Sequence, residues 1–293
     1  MRSTSPVLLV EDAPAKVNLT LRVFGRRSDG YHEIASLVVF ADFGDRLTLA
    51  PGGELTLTVR GPRAAQAGDR TDNLVLKAAR AIAARVAGVT LGAFNLDKNL
   101  PVAAGIGGGS ADAAAALRLI AQASALAADD RRLYEAALAT GADVPVCLDP
   151  RPRFMQGIGE KLSGPLTLPP TPAVLVNPGV WLATKDVFAR WNAAGSAAPL
   201  DVVAAMRVMS HADLLQFLAA QPNDLEAAAI ALAPPIASVL AGLRAQSGCE
   251  LARMSGSGAT CFGLFASAPA ATAAVTEIGD KHPGWWLRAC VLG

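Results

Sequence analysis

Charge, aromatic rings and cysteine are all scarce in this sequence. Of its 293 residues 17% are charged, with 26 Lys and Arg against 25 Asp and Glu, and 5% are aromatic. The formal net charge of +1 argues against a protein that coats nucleic acid or an anionic membrane, although a small basic pocket stays open. The hydrophobic fraction of 52% excludes a disordered chain, and the length is that of about two domains.

The few cysteines and histidines lack the spacing of a metal site. The four cysteines are scattered without a CxxC pair, and the three histidines form no HxxxH or HxxE pattern. Single scattered cysteines are typical of small buried side chains in a reducing compartment. The sequence therefore predicts buried thiols rather than a disulfide framework or a zinc site.

Long apolar runs are also missing, although the mean hydropathy of +0.35 is high. The uncharged stretch 227–243 is rich in alanine and contains two adjacent prolines, whereas a spanning helix needs about 20 strongly apolar residues. The apolar run 7–10 is cut off by two acidic residues, which makes it too short for a signal-peptide core. We expect a cytoplasmic protein that does not associate with membranes.

Strand and helix patterns are mixed without strict alternation, which favours an α+β fold over a doubly wound sheet. Leu55, Leu57 and Val59 alternate with polar residues, as in a half-buried strand. Other strands are predicted at 7–10, 17–23, 37–40, 47–49, 94–97, 174–176 and 286–291, with a hairpin over 251–265. Helices are predicted from about 74 to 86 with Asp72 as cap, to about 127 after the glycine-rich segment, at 131–140 with Gly141 as C′ residue, at 186–191, 202–209, 212–219, 224–231 and 236–246, and from about 270, with a linker at 193–199.

A glycine-rich segment, Lys98 to Asp112, follows a predicted strand and opens a predicted helix. Four of the five residues Gly105–Gly109 are glycine. Glycine permits positive φ and close backbone approach, so several N–H groups and a helix N-terminus can converge on one phosphate. A tight strand–helix turn is the structural alternative. The GxGxxG pattern fails because Ser110 stands at its last glycine, and the GxxxxGK[ST] pattern fails because no lysine follows the glycines.

Ser110 has two compatible interpretations. Its side chain can cap the following helix, a contribution of about 1 kcal/mol, and its hydroxyl can reach a phosphate or Mg²⁺. Asp112, placed in the first helical turn, would be favoured by the helix dipole.

Three motifs, in order along nearly the whole chain, resemble those of the GHMP kinases. The glycine-rich segment resembles the PxxxGLGSSSA phosphate loop of that family, APAKVNL at 13–19 its first motif, and MSGSGAT at 254–260 its third, a second glycine turn beside the first. The resemblance implies an α+β, two-domain GHMP kinase fold. Its ribosomal-protein-S5-like N-terminal domain would be 1–152 and its ferredoxin-like C-terminal domain 153–293, with Pro150 and Pro152 at the boundary.

ATP and Mg²⁺ are the cofactors that this resemblance implies. Asn73 and Lys98 resemble positions lining the adenine pocket, although Lys98 is also compatible with a solvated charge at a strand end. The loop residues implied to bind ATP are Pro101, Val102, Ala103, Ala104, Gly105, Ile106, Gly107, Gly108, Gly109, Ser110 and Ala111. Ser110 is the implied Mg²⁺ ligand. Because Ala111 stands where the family often has a second serine, Ser110 and backbone N–H groups are expected to suffice.

Lys16 and Asp143 are the catalytic residues that the resemblance implies. Asp143 aligns with the family's catalytic aspartate, and the Lys16 ammonium would pair with it, lower its pKa and orient the acceptor hydroxyl. From the residues alone, Asp143 is also compatible with a solvated turn residue and Lys16 with an edge-strand lysine. Whether Asp143 removes the proton or positions the hydroxyl stays open.

Three further segments resemble family members that phosphorylate a cytidine diphosphate alcohol: GRRSDGYHE at 25–33, GADVP at 141–145 and NDLE at 223–226. The resemblance implies that Tyr31 and Phe188 stack on cytosine and that His32 hydrogen-bonds the base. It also implies contacts of Asn18 with the acceptor's hydroxyls and places Thr184 near Phe188. Phe188 as an ordinary core residue is the alternative.

Two other classes of function are weighed against this one. A sibling kinase acting on homoserine or mevalonate would need no aromatic pair for a base. A nucleotide-binding protein without catalysis, or an RNA-binding module, would not need both Lys16 and Asp143, and the low net charge argues against RNA. The expected partner is a small-molecule substrate, with no nucleic acid, and the expected state is a monomer or homodimer.

Overall fold

The computed structural model describes residues 7–67, 73–191 and 210–293. They form two compact units, each assembled from separate stretches of the chain. Unit 1 takes the residues up to Ala15 and the stretches Gly44–Val102 and Gly107–Pro150. Unit 2 takes Lys16–Phe43, Ala103–Ile106 and Arg151–Gly293. The helix predicted at 202–209, the linker at 193–199 and the cap Asp72 lie outside the described residues.

Strands and helices alternate irregularly along the chain, and the α+β class is confirmed. The strands are β1 (Leu9–Asn18), β2 (Arg22–Arg26), β3 (His32–Pro51), β4 (Thr56–Arg60), β5 (Gly92–Asp97), β6 (Arg153–Gly157), β7 (Lys161–Leu162), β8 (Thr171–Asn177), β9 (Cys249–Met254), β10 (Cys261–Phe265) and β11 (Trp286–Leu292). The helices are α1 (Leu74–Ala83), α2 (Gly108–Ala123), α3 (Arg131–Thr140), α4 (Val144–Cys147), α5 (Thr184–Arg190), α6 (His211–Ala220), α7 (Glu226–Leu232), α8 (Pro235–Arg244) and α9 (Ala268–Lys281).

Unit 1 combines the end of β3 with β4, β5 and the first four helices. Residues 46–51 of β3 pair antiparallel with β5, and β4 runs parallel to β5. Leu57 is buried between exposed threonines, which confirms the predicted alternation in β4. Helices α1, α2 and α3 pack against one another. Because seven of the 16 residues of α2 are alanine, its neighbours can approach closely, and most of its residues are buried.

Unit 2 is built on an antiparallel sheet in the order β3, β11, β8, β10, β9, with β2 and β6 also paired to β3. Strand β8 is an apolar run that is buried along nearly its whole length. Helix α8 packs on β9 and β10, and α9 packs on β8 and β11. The core between them holds branched and aromatic side chains such as Val174, Val176, Ile236, Leu240 and Phe265.

Several predicted boundaries are wrong, and tertiary pairing is the reason. The strands predicted at 37–40 and 47–49 are one 20-residue strand, β3, which has different partners at its two ends. The strand predicted at 17–23 is interrupted after Asn18. Strands β6 and β7 and the short helix α4 carry no clear periodicity and were not predicted. Gly141 has a φ of 177°, so α3 ends in an extended residue and not in a left-handed glycine.

The cysteines are mostly buried, as the sequence predicts. Cys147, Cys261 and Cys290 are buried and Cys249 is partly buried. Burial raises the pKa of the Cys290 thiol to about 12, with Asp42 adding to the effect. Across the described ranges, no helix has the combination of length and hydropathy needed to cross a bilayer.

Candidate active site

In unit 1 the glycine-rich segment opens a long helix. Helix α2 begins at Gly108, directly after Gly107, which is the N-cap residue and has a left-handed φ of 63°. Ser110 is therefore the third helical residue, and its predicted role as N-cap is wrong. Gly109 is exposed and Ser110 partly exposed. Because the first N–H groups of a helix lack intrahelical partners and carry partial positive charge, this turn can bind an anion.

Lys98 is buried below this helix start together with two carboxylates. Its ammonium nitrogen Nζ donates to Asp45 Oδ2 and, at 2.7 Å, to Asp112 Oδ2. Asp45 Oδ1 in turn accepts from the backbone N–H of Leu100 at 2.9 Å. Lys98 is 3% exposed, so its interpretation as a solvated strand-end charge is wrong. A Cβ placed on Gly108 would lie 3.3 Å from Lys98 Nζ, so the ammonium lies next to the beginning of α2.

The charges of this cluster affect one another's protonation. Burial disfavours the charged form of Lys98, but Asp112 and Asp45 outweigh it and raise the pKa of the ammonium. Burial raises the pKa of the Asp112 carboxyl against the opposing effect of Lys98. Asp112 lies in the second turn of α2, so the predicted stabilisation by the helix dipole gives way to an ion pair. Its Oδ1 is buried and finds no hydrogen-bond partner in the part of the chain that the structure describes.

Two other predicted residues of unit 1 lie at helix starts. Asp143 is the residue before α4, on a partly buried turn, and Pro145 follows within the first helical turn. Its predicted position on a turn and not on a helix face is confirmed. Asn73 is the N-cap of α1, so the prediction of Asp72 as the cap is wrong; the side-chain oxygen of Asn73 accepts from the N–H of Val75 at 2.9 Å. The amide oxygen of Asn73 thus caps the helix, while its NH₂ group can donate a hydrogen bond to a ligand.

In unit 2, parts of all three motifs are hydrogen-bonded to one another. Lys16 N donates to Ile106 O at 3.0 Å, and Thr260 N donates to Ala104 O at 3.0 Å. Ser255 Oγ donates to Gly105 O at 2.9 Å. The expectation that the second glycine turn lies beside the first is confirmed. Among the described residues β1 pairs with β3 alone, so Lys16 does lie on an edge strand, but its side chain is buried, with 3% of the residue exposed.

Gly105 is required for this contact between the turns. Its φ is +76°, and a Cβ at this position would lie 2.6 Å from Gly258 O and 2.7 Å from Ser255 O. Both distances are far below van der Waals contact, and both atoms belong to backbone. No side chain fits here, which gives a physical reason for glycine at this place in the loop.

Asn18 is 2% exposed and keeps one polar atom unused. Its backbone N–H donates to Ser255 Oγ at 3.1 Å, and its Nδ2 donates to Ser36 Oγ at 2.7 Å. Its Oδ1, by contrast, has no hydrogen-bond partner within the described ranges. A buried acceptor without a partner is costly, and a ligand hydroxyl would satisfy it.

Aromatic rings form a second feature of unit 2. His32 stacks on Phe188 with ring centroids 4.8 Å apart and meets Trp191 edge-on at 5.9 Å. Tyr31, the neighbouring residue, is 58% exposed. Phe188 also packs against the core, as its interpretation as an ordinary core residue predicts. Burial, followed by the charge of Arg26, lowers the pKa of His32, which favours the neutral ring.

Thr184 is the first residue of α5 and forms a hydrogen bond with the third motif. Its hydroxyl lies 2.9 Å from Ser257 Oγ. The side chain itself is exposed. Thr184 thus connects the helix that carries Phe188 to the glycine turn at 254–260.

An ATP-bound Mg²⁺ fits the donors of unit 1. Such an ion usually retains several waters and takes one or two protein oxygens together with phosphate oxygens. The partly exposed hydroxyl of Ser110, in the first turn of α2, is an oxygen donor of this kind. Within the described residues, no cluster of three His, Cys, Asp or Glu side chains suited to a metal ion occurs.

Ser255, Asn223 and Asp45 contribute to these arrangements and were not predicted. Ser255 and Asn223 lie in motifs that the sequence marks, but neither has a local pattern that indicates its partners. Asp45 lies 53 residues from Lys98 along the chain. Such pairs become visible only in the tertiary structure, where distant segments of the chain are in contact.

Family models match both halves of the chain. Residues 73–149 match the GHMP kinases N terminal domain, and residues 202–283 match the GHMP kinases C terminal model. The first match contains the glycine-rich segment, and the second contains MSGSGAT at 254–260.

Two full-length relatives carry the same name. The chain is 57% identical over 296 residues to a 4-diphosphocytidyl-2-C-methyl-D-erythritol kinase of Rhodopseudomonas palustris, covering 99% of both chains. It is 56% identical to the kinase of the same name from Methylobacterium radiotolerans, covering 97% of this chain and 99% of the relative.

Solved structures of the same fold cover nearly the whole chain. A crystal structure of 4-(cytidine 5'-diphospho)-2C-methyl-D-erythritol kinase matches with a TM-score of 0.78 and 33% identity, over 97% of this chain and 99% of the other. Homoserine kinase from Cytophaga hutchinsonii matches with a TM-score of 0.71 and 18% identity, over 99% and 96%. The second match, at that identity, shows the fold alone.

Proposed function

The chain belongs to the GHMP kinase family, and from that premise we propose that it transfers the γ-phosphoryl group of ATP to the 2-hydroxyl of 4-diphosphocytidyl-2-C-methyl-D-erythritol. This reaction belongs to the non-mevalonate route to isoprenoid precursors. The full-length relatives that bear the name of this kinase support the acceptor. The observation in the structure that carries the choice is the ring group of unit 2, in which His32 stacks on Phe188 next to exposed Tyr31. Homoserine and mevalonate have no base for such rings to bind.

ATP is assigned to the glycine-rich segment. The open first turn of α2 offers N–H groups and a helix N-terminus to the phosphates, so little side-chain charge is needed. Asn73 and Lys98 are proposed for the nucleoside end of ATP. Lys98 can contribute one of its three ammonium protons, since Asp45 and Asp112 accept the other two. Ser110 is the proposed ligand of Mg²⁺, which, when bound, would supply positive charge to neutralise the transferred phosphoryl group.

The acceptor is assigned to Asn18, Tyr31, His32, Thr184 and Phe188. The unpaired Oδ1 of Asn18 suits a sugar-like hydroxyl, and the neutral His32 ring has both a donor and an acceptor for cytosine. Lys16 and Asp143 are proposed as the catalytic residues. In a loose transition state the hydroxyl proton leaves late, so Asp143 orients the nucleophile and then accepts the proton, while Lys16 stabilises the negative charge.

A substrate panel tests the proposed function. Purified full-length protein with ATP and Mg²⁺ is offered 4-diphosphocytidyl-2-C-methyl-D-erythritol, homoserine and mevalonate, and ADP and phosphorylated product are quantified. We expect turnover of the cytidine diphosphate alcohol alone. Phosphorylation of homoserine or mevalonate without that of the cytidine compound would refute the proposal.

Two variants separate catalysis from base binding. Asp143→Asn should lower kcat by about 10²- to 10⁴-fold, because a positioned acid–base group is lost, while ATP still binds.

Tyr31→Ala should raise KM for the cytidine compound by about 5- to 100-fold, since stacking on a base contributes about 1–3 kcal/mol. The control is Trp181→Ala, which removes an aromatic ring that is 75% exposed and is not among the proposed acceptor residues. An unchanged KM in Tyr31→Ala would exclude the stacking role.

A further inference from the structure

The segment Asn223–Glu226 has no role in the reaction as proposed, yet it binds the third motif. Asn223 is 5% exposed. Its Nδ2 donates to Met254 O and Gly256 O, both at 2.8 Å, and its Oδ1 accepts from Leu225 N at 2.9 Å. Both amide hydrogens are therefore used on the backbone of the glycine turn.

Ser255 lies between the two carbonyls that Asn223 holds. Its hydroxyl accepts from Asn18 N at 3.1 Å and donates to Gly105 O at 2.9 Å. Ser255 thus connects the first motif to the phosphate loop. Because Asn223 fixes the residue before it and the residue after it, the position of this hydroxyl depends on the Asn223 amide.

The neighbours of Asn223 secure the surrounding backbone. Asp224 Oδ2 accepts from Val23 N at 2.9 Å and from Arg22 Nε at 3.1 Å. Glu226 Oε2 accepts from Met254 N at 2.9 Å. These carboxylates attach the segment to β2 and to the end of β9, whereas Asn223 reaches both sides of Ser255.

We propose that Asn223 is a positioning residue for phosphoryl transfer, which holds Ser255 and Gly256 so that Gly105 and Asn18 keep their spacing. The inference rests on the proposed function, in which Gly105 belongs to the ATP loop and Asn18 to the acceptor site. The tolerance is small, because a Cβ on Gly256 would lie 3.0 Å from Gly105 O and 3.3 Å from Asn18 Oδ1. A displacement of about 1 Å between reacting groups can cost on the order of 100-fold in rate.

The kinetic test uses Asn223→Asp and Asn223→Ala in the full-length protein. Asn223→Asp keeps the shape but turns an oxygen toward the two carbonyls, and Asn223→Ala removes both donors. We expect kcat to fall by about 10- to 100-fold, with little change in KM for the cytidine compound, because the rings of Tyr31, His32 and Phe188 are untouched. A kcat that stays at the wild-type value in folded variants, with only the melting temperature lowered, would overturn the proposal.

Gln246→Glu is the matched control. Gln246 is also a buried amide of unit 2, and its Nε2 donates to a single backbone carbonyl, Gly242 O, at 3.0 Å. Its replacement should lower the melting temperature and leave kcat unchanged. An equal loss of kcat in this control would show that Asn223 acts through general stability.

Hydrogen exchange provides a second measurement that needs no substrate and tolerates a milder variant. In Asn223→Ser we expect faster amide exchange at 254–260 than in wild type, with unchanged exchange in β8. Equal exchange at 254–260 would refute the positioning role. If the wild type fails to phosphorylate the cytidine compound, the proposed function fails, and the exchange result alone decides whether Asn223 holds the turn.

Discussion

Lys98, Asp45 and Asp112 depend on one another because all three are buried. Each is at most 3% exposed, and the single ammonium faces two carboxylates. Removal of one partner from a buried ion pair leaves an uncompensated charge and costs about 3–5 kcal/mol, whereas an exposed pair contributes about 0–1 kcal/mol. The stability of unit 1 therefore depends on Lys98 more than on its surface charges.

Lys98→Met should lower the free energy of unfolding by about 3–5 kcal/mol, because two buried carboxylates lose their counterion. Denaturant unfolding measures the change. Arg60→Met is the control, because it removes an exposed ion pair. In this pair Arg60 Nε lies 3.7 Å from Asp97 Oδ1, and the two side chains are 62% and 47% exposed. Equal losses in the two variants would contradict the special role of Lys98.

His32 should make stability depend on pH. Burial and Arg26 lower its pKa, so the unfolded chain binds this proton more readily than the native protein does. The contribution of His32 to the free energy of unfolding is therefore fully present above about pH 6.5, the pKa of an unfolded histidine. It is lost as the pH falls below that value. Between about pH 8 and pH 5, wild type should lose more stability than His32→Gln. Parallel pH profiles of the two proteins would argue against this role.

At the scale of elements, the phosphate-loop segment around Gly105 and the turn at 254–260 pack backbone against backbone in unit 2. The turn at 254–260 packs so closely against the phosphate-loop segment that a side chain on Gly105 would collide with its backbone. Strands β9 and β10 flank the turn at 254–260, and hydrogen bonds from Ser255 and Thr260 join it to the phosphate-loop segment. A change in either turn is expected to disturb both.

Gly105→Ala should destabilise the protein by about 1–3 kcal/mol and lower kcat, because the new Cβ meets backbone at a positive φ. Gly242→Ala is the control inside α8, where no described heavy atom lies within 4 Å of the added Cβ. That change should stabilise the protein by about 0.5–1 kcal/mol, because alanine loses less entropy in a helix. Thermal unfolding and kcat are measured for both, and a fully active, stable Gly105→Ala variant would contradict the packing argument.

At the scale of the whole molecule, the chain crosses between its compact units several times. Strand β3 contributes residues up to Phe43 to unit 2 and Gly44–Pro51 to unit 1. The boundary near residue 152 stays a prediction of where the chain passes from one family domain to the next. The second half nevertheless depends on the first, because β6 and β11 both pair with β3.

A fragment of residues 153–293 should therefore fail to fold by itself. Without β3, the edges of β6 and β11 lose their hydrogen-bonding partners, and unpaired edges favour aggregation. Circular dichroism and cooperative thermal unfolding, compared with the full-length chain, measure this. A monomeric fragment with a sharp unfolding transition would contradict the prediction.

Prediction from the sequence succeeded where the signal is local. Helix α3 has the predicted bounds, and β4 has the predicted alternation, since each follows from periodicity within one element. The continuity of β3 was missed because it depends on pairing with β5 and β6. In the site, the glycine loop was predicted from its composition, whereas the burial of Lys98 depends on Asp45, which is far away in the chain.

The sequence by itself determined the local chemistry and the family. The glycines that permit a left-handed loop and the order of the three motifs can be read from neighbouring residues, because φ preferences and helix N-termini are properties of a few consecutive positions. Only the tertiary structure decided which distant groups meet. Asn18 and Ser255 are 237 residues apart, and Asn223 and Met254 are 31 apart. A hydrogen bond between distant residues forms only after folding has brought the donor and the acceptor within about 3 Å of each other. The pairing and register of the strands decide which residues come that close.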